Sequence, residues 1–284
     1  MQENTTEAAK APPALNKKRR PWALVTGASA GIGKEFARQL AGKGYALVLV
    51  ARREDRLREL AQTLEQEHGT ACHVVAADLS DPAASETIVT ALDAAGIEIE
   101  FLVNNAGYGV PGKLVAVPLD THDTFMQVMV NAVIELCWRL MPGMIERERG
   151  FIINVASVAG IAPSSAGHTL YGASKAFLIK FSESLAAEGA PHGVHVSALC
   201  PGFTYSEFHD VTGTRDQVNQ LPSWLWLQAE DVVRDGIDAV TREKPRVVEV
   251  PGGIWKFIVW LSGAAPGFGR WLANRNAHRF RKMD

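Results

Sequence analysis

Tyr171 and Lys175 stand four residues apart in Tyr171-Gly172-Ala173-Ser174-Lys175. On a helix that spacing places the phenol and the ammonium on one face. An unperturbed phenol, with a pKa near ~10, is a poor acid–base group at neutral pH. A neighbouring cation favours the ionised form and draws the group toward the working range. A Tyr/Lys pair alone is a common surface feature. Ser157, just after a β-branched run, and Asn131, in the preceding long helical stretch, add a hydroxyl and an amide. That company makes the Tyr/Lys pair more specific than a surface pair would be.

Upstream, Thr26-Gly27-Ala28-Ser29-Ala30-Gly31-Ile32-Gly33 follows a short apolar run and opens a helical segment. Glycines there permit a tight turn, and a helix start offers free N–H groups to a pyrophosphate. By itself such a turn is a weak signal, with a purely structural turn as the alternative. At the first strand-to-helix junction of an alternating pattern it points to a dinucleotide. About 20 residues on, where the two nicotinamide dinucleotides are told apart, the chain reads Val50-Ala51-Arg52-Arg53. An acidic side chain would take a ribose 2′-hydroxyl; Arg52 and Arg53 instead offer forks suited to a 2′-phosphate. NADP(H) is therefore expected over NAD(H), although Arg53 also reads as a solvated helix start. Asp78-Leu79 and Asn104-Asn105-Ala106-Gly107 follow later apolar runs, and Asp78 could accept from an adenine amino group or merely cap the next helix.

The elements that must position these residues alternate. Apolar runs at 23–26, 46–50, 73–77, 101–103, 151–155, 194–198 and 246–250 are separated by amphipathic segments near 34–43, 53–68, 83–95, 122–148, 171–190 and 229–243. Mostly continuous apolar runs suit strands covered on both faces. Strand, helix, strand repeated predicts a doubly wound, mostly seven-stranded parallel sheet with helices on both faces, an α/β fold of Rossmann type. In such a sheet ligands bind beyond the carboxyl ends of the strands, where Asp78-Leu79 and Asn104–Gly107 both fall.

The chain has 284 residues and a formal net charge of -2, which leaves ample core and gives no support to a nucleic-acid partner. Three cysteines, Cys72, Cys137 and Cys200, cannot make a disulfide framework and read as small buried apolar residues in a reducing compartment, the cytoplasm. Residues 1–20 lack the apolar core of a secretory signal and read as a disordered tail with a basic run at 17–20. No stretch reaches the ~18 uninterrupted apolar residues of a membrane span. Residues 21–250 read as one domain and 251–284 as an aromatic and basic C-terminal extension. That extension is expected either to pack on the domain or a second subunit, or to lie at a membrane surface as a peripheral contact.

The glycine turn, Asn104–Gly107, Asn131, Ser157, Tyr171/Lys175 and Pro201-Gly202, in that order over roughly residues 22–250, resemble the short-chain dehydrogenase/reductase family. The resemblance implies reversible hydride transfer between a nicotinamide and a carbonyl or alcohol. It implies Tyr171 as the proton donor and Lys175 as the group that lowers its pKa and holds the nicotinamide ribose. Ser157 would bind the substrate oxygen and Asn131 would support a water-linked relay. Gly27, Ser29, Ala30, Gly31, Ile32, Gly33, Arg52, Arg53, Asp78, Leu79, Asn105, Ala106 and Gly107 would line the cofactor path with Tyr171 and Lys175. Pro201 and Gly202 would brace the nicotinamide, with Thr204 near its carboxamide. Ser157 lies one residue farther from Tyr171 than is usual in the family, which an extra residue in the 161–170 loop would absorb; Ser164 and Ser165 read as loop residues. Family members commonly form homodimers or homotetramers through the helices around Asn131 and Tyr171. No metal is implied.

Substrate choice is expected in residues 203–227, a lid containing Phe203, Tyr205, Phe208, Leu221, Trp224, Leu225 and Trp226. Its aromatic character favours a lipophilic ketone or aldehyde, 3-oxoacyl-like or similar, with Phe203, Tyr205, Phe208 and Trp224 lining the pocket. These residues could equally pack the lid on the domain. The alternative substrates are small 3-hydroxy acids or serine-like molecules, for which Arg215 is the obvious carboxylate partner and His209 a polar candidate. A non-catalytic NADPH-binding or membrane-surface protein is a third reading, which the intact Asn131/Ser157/Tyr171/Lys175 set opposes.

Overall fold

The alternating runs form seven strands: β1 (Trp22–Thr26), β2 (Ala46–Ala51), β3 (Cys72–Ala76), β4 (Ile99–Asn104), β5 (Gly150–Val155), β6 (Val194–Leu199) and β7 (Val248–Glu249). Between and after them lie α1 (Gly31–Gly42), α2 (Glu54–His68), α3 (Ala84–Ala94), α4 (Leu119–Met126), α5 (Ala132–Glu146), α6 (Thr169–Gly189), α7 (Ala229–Thr241) and α8 (Gly253–Ala264). The computed structural model describes residues 20–164, 166–167, 169–208, 212–213, 215, 220–264 and 267. Strand order is β3-β2-β1-β4-β5-β6-β7, and each neighbouring pair is parallel. The order reverses between β1 and β4, so the crevice opens beyond Thr26 and Asn104.

The continuous apolar strands are buried on both sides because each face carries helices. Ala23, Val25, Leu47, Leu49, Phe101 and Phe151 meet Phe36, Leu40, Leu57 and Val232 from α1, α2 and α7. Leu24, Val48, Leu102, Ile152 and Val196 meet Ile88, Leu136, Met144 and Leu178 from α3, α5 and α6. Each fully buried Leu or Phe contributes roughly 1.5–3 kcal/mol of transfer free energy, which outweighs the modest propensities of these segments.

Three elements differ from the sequence expectation. The single helix expected over 122–148 is α4, a π-type turn at Gln127–Asn131, and α5. Its 119–146 stretch reaches a mean hydropathy of 1.4 over an 18-residue window, yet half of that window is buried in the domain. The strand expected over 246–250 pairs at Val248 and Glu249 alone. There Arg246 turns its guanidinium onto Glu249 (Nη1–Oε2, 2.9 Å). The first helix starts at Gly31, inside the glycine turn.

A buried polar chain crosses the sheet beneath the crevice. Asn104 Nδ2 donates to Asn154 Oδ1 (2.9 Å), Asn154 Nδ2 donates to Ser182 Oγ (2.9 Å), and Ser182 Oγ donates to Leu178 O (2.7 Å). It ties β4 and β5 to α6. Cys137 and Cys200 are buried, Cys72 is partly so, and all three are free thiols.

The helix at the start of the C-terminal extension docks on the domain through one face. Trp255 is buried, and its Nε1 donates to Leu225 O (2.9 Å). Lys256 Nζ reaches Glu249 Oε1 (2.8 Å), so the buried Glu249 carboxylate joins α8 to β7. The other face leaves Phe257 and Trp260 60% and 64% exposed, stacked on each other with ring centroids 5.9 Å apart.

Candidate active site

Thr26 closes β1 with a hydroxyl that donates to Val103 O (3.3 Å) and accepts from Asn105 N (2.9 Å) and Ala106 N (3.0 Å). The Asn105 amide donates to Thr26 O (2.9 Å) and Gly27 O (3.4 Å). The turn is thereby held from β4. Gly27 has φ +65°, and a Cβ on Gly33 would lie 2.2 Å from Gly27 O, so neither position admits a side chain without rearrangement. Asn105, expected to line a cofactor path, uses its amide to brace this turn. Ala30 precedes α1 in an extended conformation with no side-chain cap on the helix. The first-turn N–H groups of α1 therefore remain as donors for an anion. A pyrophosphate fits this donor set.

At the end of β2, Arg52 is 71% exposed with Nη1 3.9 Å from Asp78 Oδ2. Asp78 Oδ1 accepts from Ser80 N (3.0 Å), so this carboxylate also shapes its own turn, above the buried Leu79. Arg53 Nη2 donates to Ser29 Oγ (3.1 Å). Arg56, not singled out from the sequence, joins Arg53 in contacting Glu207. Its signal was available as a third cation one helical turn beyond Arg53. Beyond β4, the chain at Gly107 passes so close to the π-type turn that a Cβ would meet Met129 Sδ at 3.0 Å.

Ser157 follows β5 in an extended conformation, and its hydroxyl accepts from Ala159 N (3.1 Å). One turn into α6, Tyr171 approaches it. Burial pushes the Tyr171 phenol up to about 12, and a hydrogen bond with Ser157 pulls the other way. Lys175 is buried and donates to Val155 O (2.7 Å), with Nζ 5.7 Å from the centroid of the Tyr171 ring. Burial lowers this ammonium to about 8, opposed by the neighbouring Cys200. Burial is the largest influence on both groups, and the Lys175 ammonium also donates to a backbone carbonyl. The longer Ser157-to-Tyr171 spacing is accommodated without separating the two. Gly160 allows this, since a Cβ there would lie 2.6 Å from Lys175 C. Ser165 lies outside the described residues.

Asn131 falls at the end of the π-type turn, but its side chain is exposed and donates to Gln127 Oε1 (2.9 Å). The structure thus brings Ser157, Tyr171 and Lys175 together, while the Asn131 amide bonds within its own turn. An extra residue in the turn rotates the side chains that follow it.

Pro201 and Gly202 face the same end of β5: Val158 N donates to Pro201 O (3.1 Å). A Cβ on Gly202 would lie 2.0 Å from Trp255 Cε2, so the indole lies directly on this backbone. Of the expected pocket residues, Phe208 lies 5.8 Å from the Tyr171 ring, centroid to centroid. Phe203 instead packs on Trp226 and Trp255, and Tyr205 stacks on Trp226 at 4.7 Å. Trp224 is 59% exposed. Thr204 Oγ1 donates to Gly202 O (3.1 Å). Of the side chains expected to line a pocket, Phe203 is thus taken up by packing on α8 and Tyr205 by packing on Trp226. Arg215 donates to Ser206 O; His209 lies outside the described residues. No cluster able to hold a metal occurs among the described residues.

A parallel sheet with a glycine turn at its switch point, and a Ser/Tyr/Lys group one strand away, defines a dinucleotide-dependent oxidoreductase fold. The family model described as short chain dehydrogenase matches residues 21–216, and the chain belongs to the short-chain dehydrogenase/reductase family. The very-long-chain 3-oxoacyl-CoA reductase of Anas platyrhynchos is 36% identical over 197 residues, 67% of this chain and 62% of that one. That of Rattus norvegicus is 32% identical over 272 residues, 92% of this chain and 83% of that one. The chain therefore spans less than two thirds of the Anas protein. A structure of a 7β-hydroxysteroid dehydrogenase superposes with a TM-score of 0.79 at 28% identity, covering 89% of this chain and 96% of its own. A short-chain dehydrogenase from Sphingobium yanoikuyae in complex with NADPH gives 0.76 at 32%, covering 87% and 94%.

Proposed function

We propose that this chain is an NADP(H)-dependent oxidoreductase that interconverts a carbonyl and an alcohol, acting as a reductase of a lipophilic, 3-oxoacyl-like ketone or aldehyde. The observation that carries the reading is the Ser157–Tyr171 hydrogen bond beside the buried Lys175 at the crevice end of β5. A bound nicotinamide supplies the hydride. Ser157 orients the substrate oxygen, and Tyr171, held protonated at neutral pH by burial, gives its proton to that oxygen. In this reading Lys175 holds the nicotinamide ribose, and the first turn of α1 with Arg52 and Arg53 holds the phosphates. Support for a lipophilic substrate comes from Phe208 beside Tyr171 and from relatives named for very-long-chain 3-oxoacyl-CoA and hydroxysteroids. Against small acids, the Arg215 guanidinium is engaged by Ser206 O.

The test is NADPH and NADH oxidation against 3-oxoacyl thioesters, steroids and small 3-oxo acids. Lipophilic members should turn over with NADPH, and Tyr171→Phe should lower the rate by at least about 10²-fold, the scale of a lost general acid, with NADPH binding retained. Turnover of small acids alone would reassign the substrate; an active Tyr171→Phe would reject the role of the phenol.

The domain at 21–250, with 203–227 as its substrate segment and 251–284 as an extension, works in this reading as a cytoplasmic homo-oligomer with peripheral membrane contact. Exposed Trp138 and Phe177 on α5 and α6 support the first contact, and exposed Phe257 and Trp260 on α8 the second. Flotation with anionic vesicles should carry the full chain and lose the Phe257→Ser/Trp260→Ser variant; equal flotation of both would remove α8 from the contact.

A further inference from the structure

The stretch following β6 runs back across the glycine turn. Ser206 Cβ sits 2.9 Å from where a Cβ on Gly31 would be, so only a glycine there lets the two backbones approach. The next residue, Glu207, places its carboxylate between two guanidiniums. Both oxygens lie 3.1 Å from Arg56 Nη1, and Oε2 lies 3.4 Å from Arg53 Nη2. The same Arg53 nitrogen donates to Ser29 Oγ at 3.1 Å. Ser29 belongs to the glycine turn, and Arg53 and Arg56 stand at the end of β2 and the start of α2. This is the place where a phosphate ester on the ribose would be read, and a carboxylate uses the same forked donors as a phosphate.

We infer that Glu207 is a specificity-determining residue that occupies, from within the chain, the donors a 2′-phosphate would use, and that Arg56 belongs to that phosphate-reading set. The inference rests on the NADP(H) reading above. A 2′-phosphate must displace the Glu207 carboxylate from Arg53 and Arg56, whereas a ribose with a free 2′-hydroxyl leaves it in place. Affinity for the phosphorylated dinucleotide is therefore reduced by the strength of this pair, and affinity for the unphosphorylated one is not. The groups are roughly half exposed, so the pair is modest.

The measurement is the Kd of the full chain for NADPH, NADH and adenosine 2′,5′-bisphosphate by calorimetry, for the wild type, Glu207→Gln and Arg56→Gln. Glu207→Gln should bind NADPH and the bisphosphate about two- to five-fold more tightly, the range of an exposed ion pair, with NADH unchanged. Arg56→Gln should weaken both phosphorylated ligands and spare NADH. A wild type that prefers NADPH, with a Glu207→Gln variant of identical Kd, overturns the role of Glu207 and leaves the cofactor reading standing. A wild type with no preference for the 2′-phosphate overturns both. Equal tightening of NADH and NADPH in Glu207→Gln also overturns the inference, because it shows a general opening of the turn.

Discussion

Tyr171 and Lys175 carry opposite titration shifts from the same cause, and the two are separable in the stability of the cofactor-free protein. With Lys175 lowered from 10.5 to about 8, the unfolded chain binds the extra proton between those values. Stability therefore rises with pH across that window. With Tyr171 raised from 10.0 to about 12, the folded chain keeps the extra proton, and stability falls as pH rises through that range. Unfolding free energies measured from pH 7.5 to 10 should show a rise of at most about 3 kcal/mol, absent in Lys175→Met. A flat wild-type profile would show that the ammonium is not desolvated. At the same scale, Ser157→Ala should cut turnover by about 10²-fold and raise the phenol further; unchanged turnover would remove Ser157 from the site. Residue types at Ser157, Tyr171 and Lys175 were readable because their chemistry is local to one strand end and one helix turn. Glu207 was not, because its partners Arg53 and Arg56 lie 154 and 151 residues away in sequence.

Among the elements, α8 is the one for which the sequence left two positions open. Its aromatic run was expected to pack on the domain or a second subunit or to meet a membrane, and one face does pack on the domain: Trp255 lies on Gly202 and α8 is tied to β7 by the Glu249–Lys256 pair. Gly202→Ala should therefore displace the indole and destabilise the protein by about 1–3 kcal/mol, the cost of overpacking a core position, with faster proteolysis C-terminal to Val250. Wild-type resistance in that variant would show that Trp255 can move at no cost. Aromatic and apolar composition marked this segment but could not say which aromatic faces inward; that depends on Leu225 and Gly202, contributed by another part of the chain. The π-type turn at Gln127–Asn131 was unreadable for a related reason: one extra residue per turn leaves the helical pattern on either side intact.

For the molecule as a whole, strand number and sheet class were legible because buried parallel strands are continuous apolar runs, whereas the Asn104–Asn154–Ser182 chain was hidden inside them. Removing its middle member strands two polar groups in the core. Asn154→Leu should cost about 2–4 kcal/mol by denaturant unfolding; a neutral result would mean that water replaces the amide. Assembly belongs to this scale too. If the exposed Trp138 and Phe177 form the subunit contact, Trp138→Glu should shift the sedimenting species toward the monomer, and an unchanged oligomer would place the contact elsewhere. The last strand limits the alternatives. β7 is two residues long, so its outer edge offers another copy almost no unpaired ladder to extend. Growth of one continuous sheet from subunit to subunit is blocked at that margin, which also deprives aggregating chains of a template there.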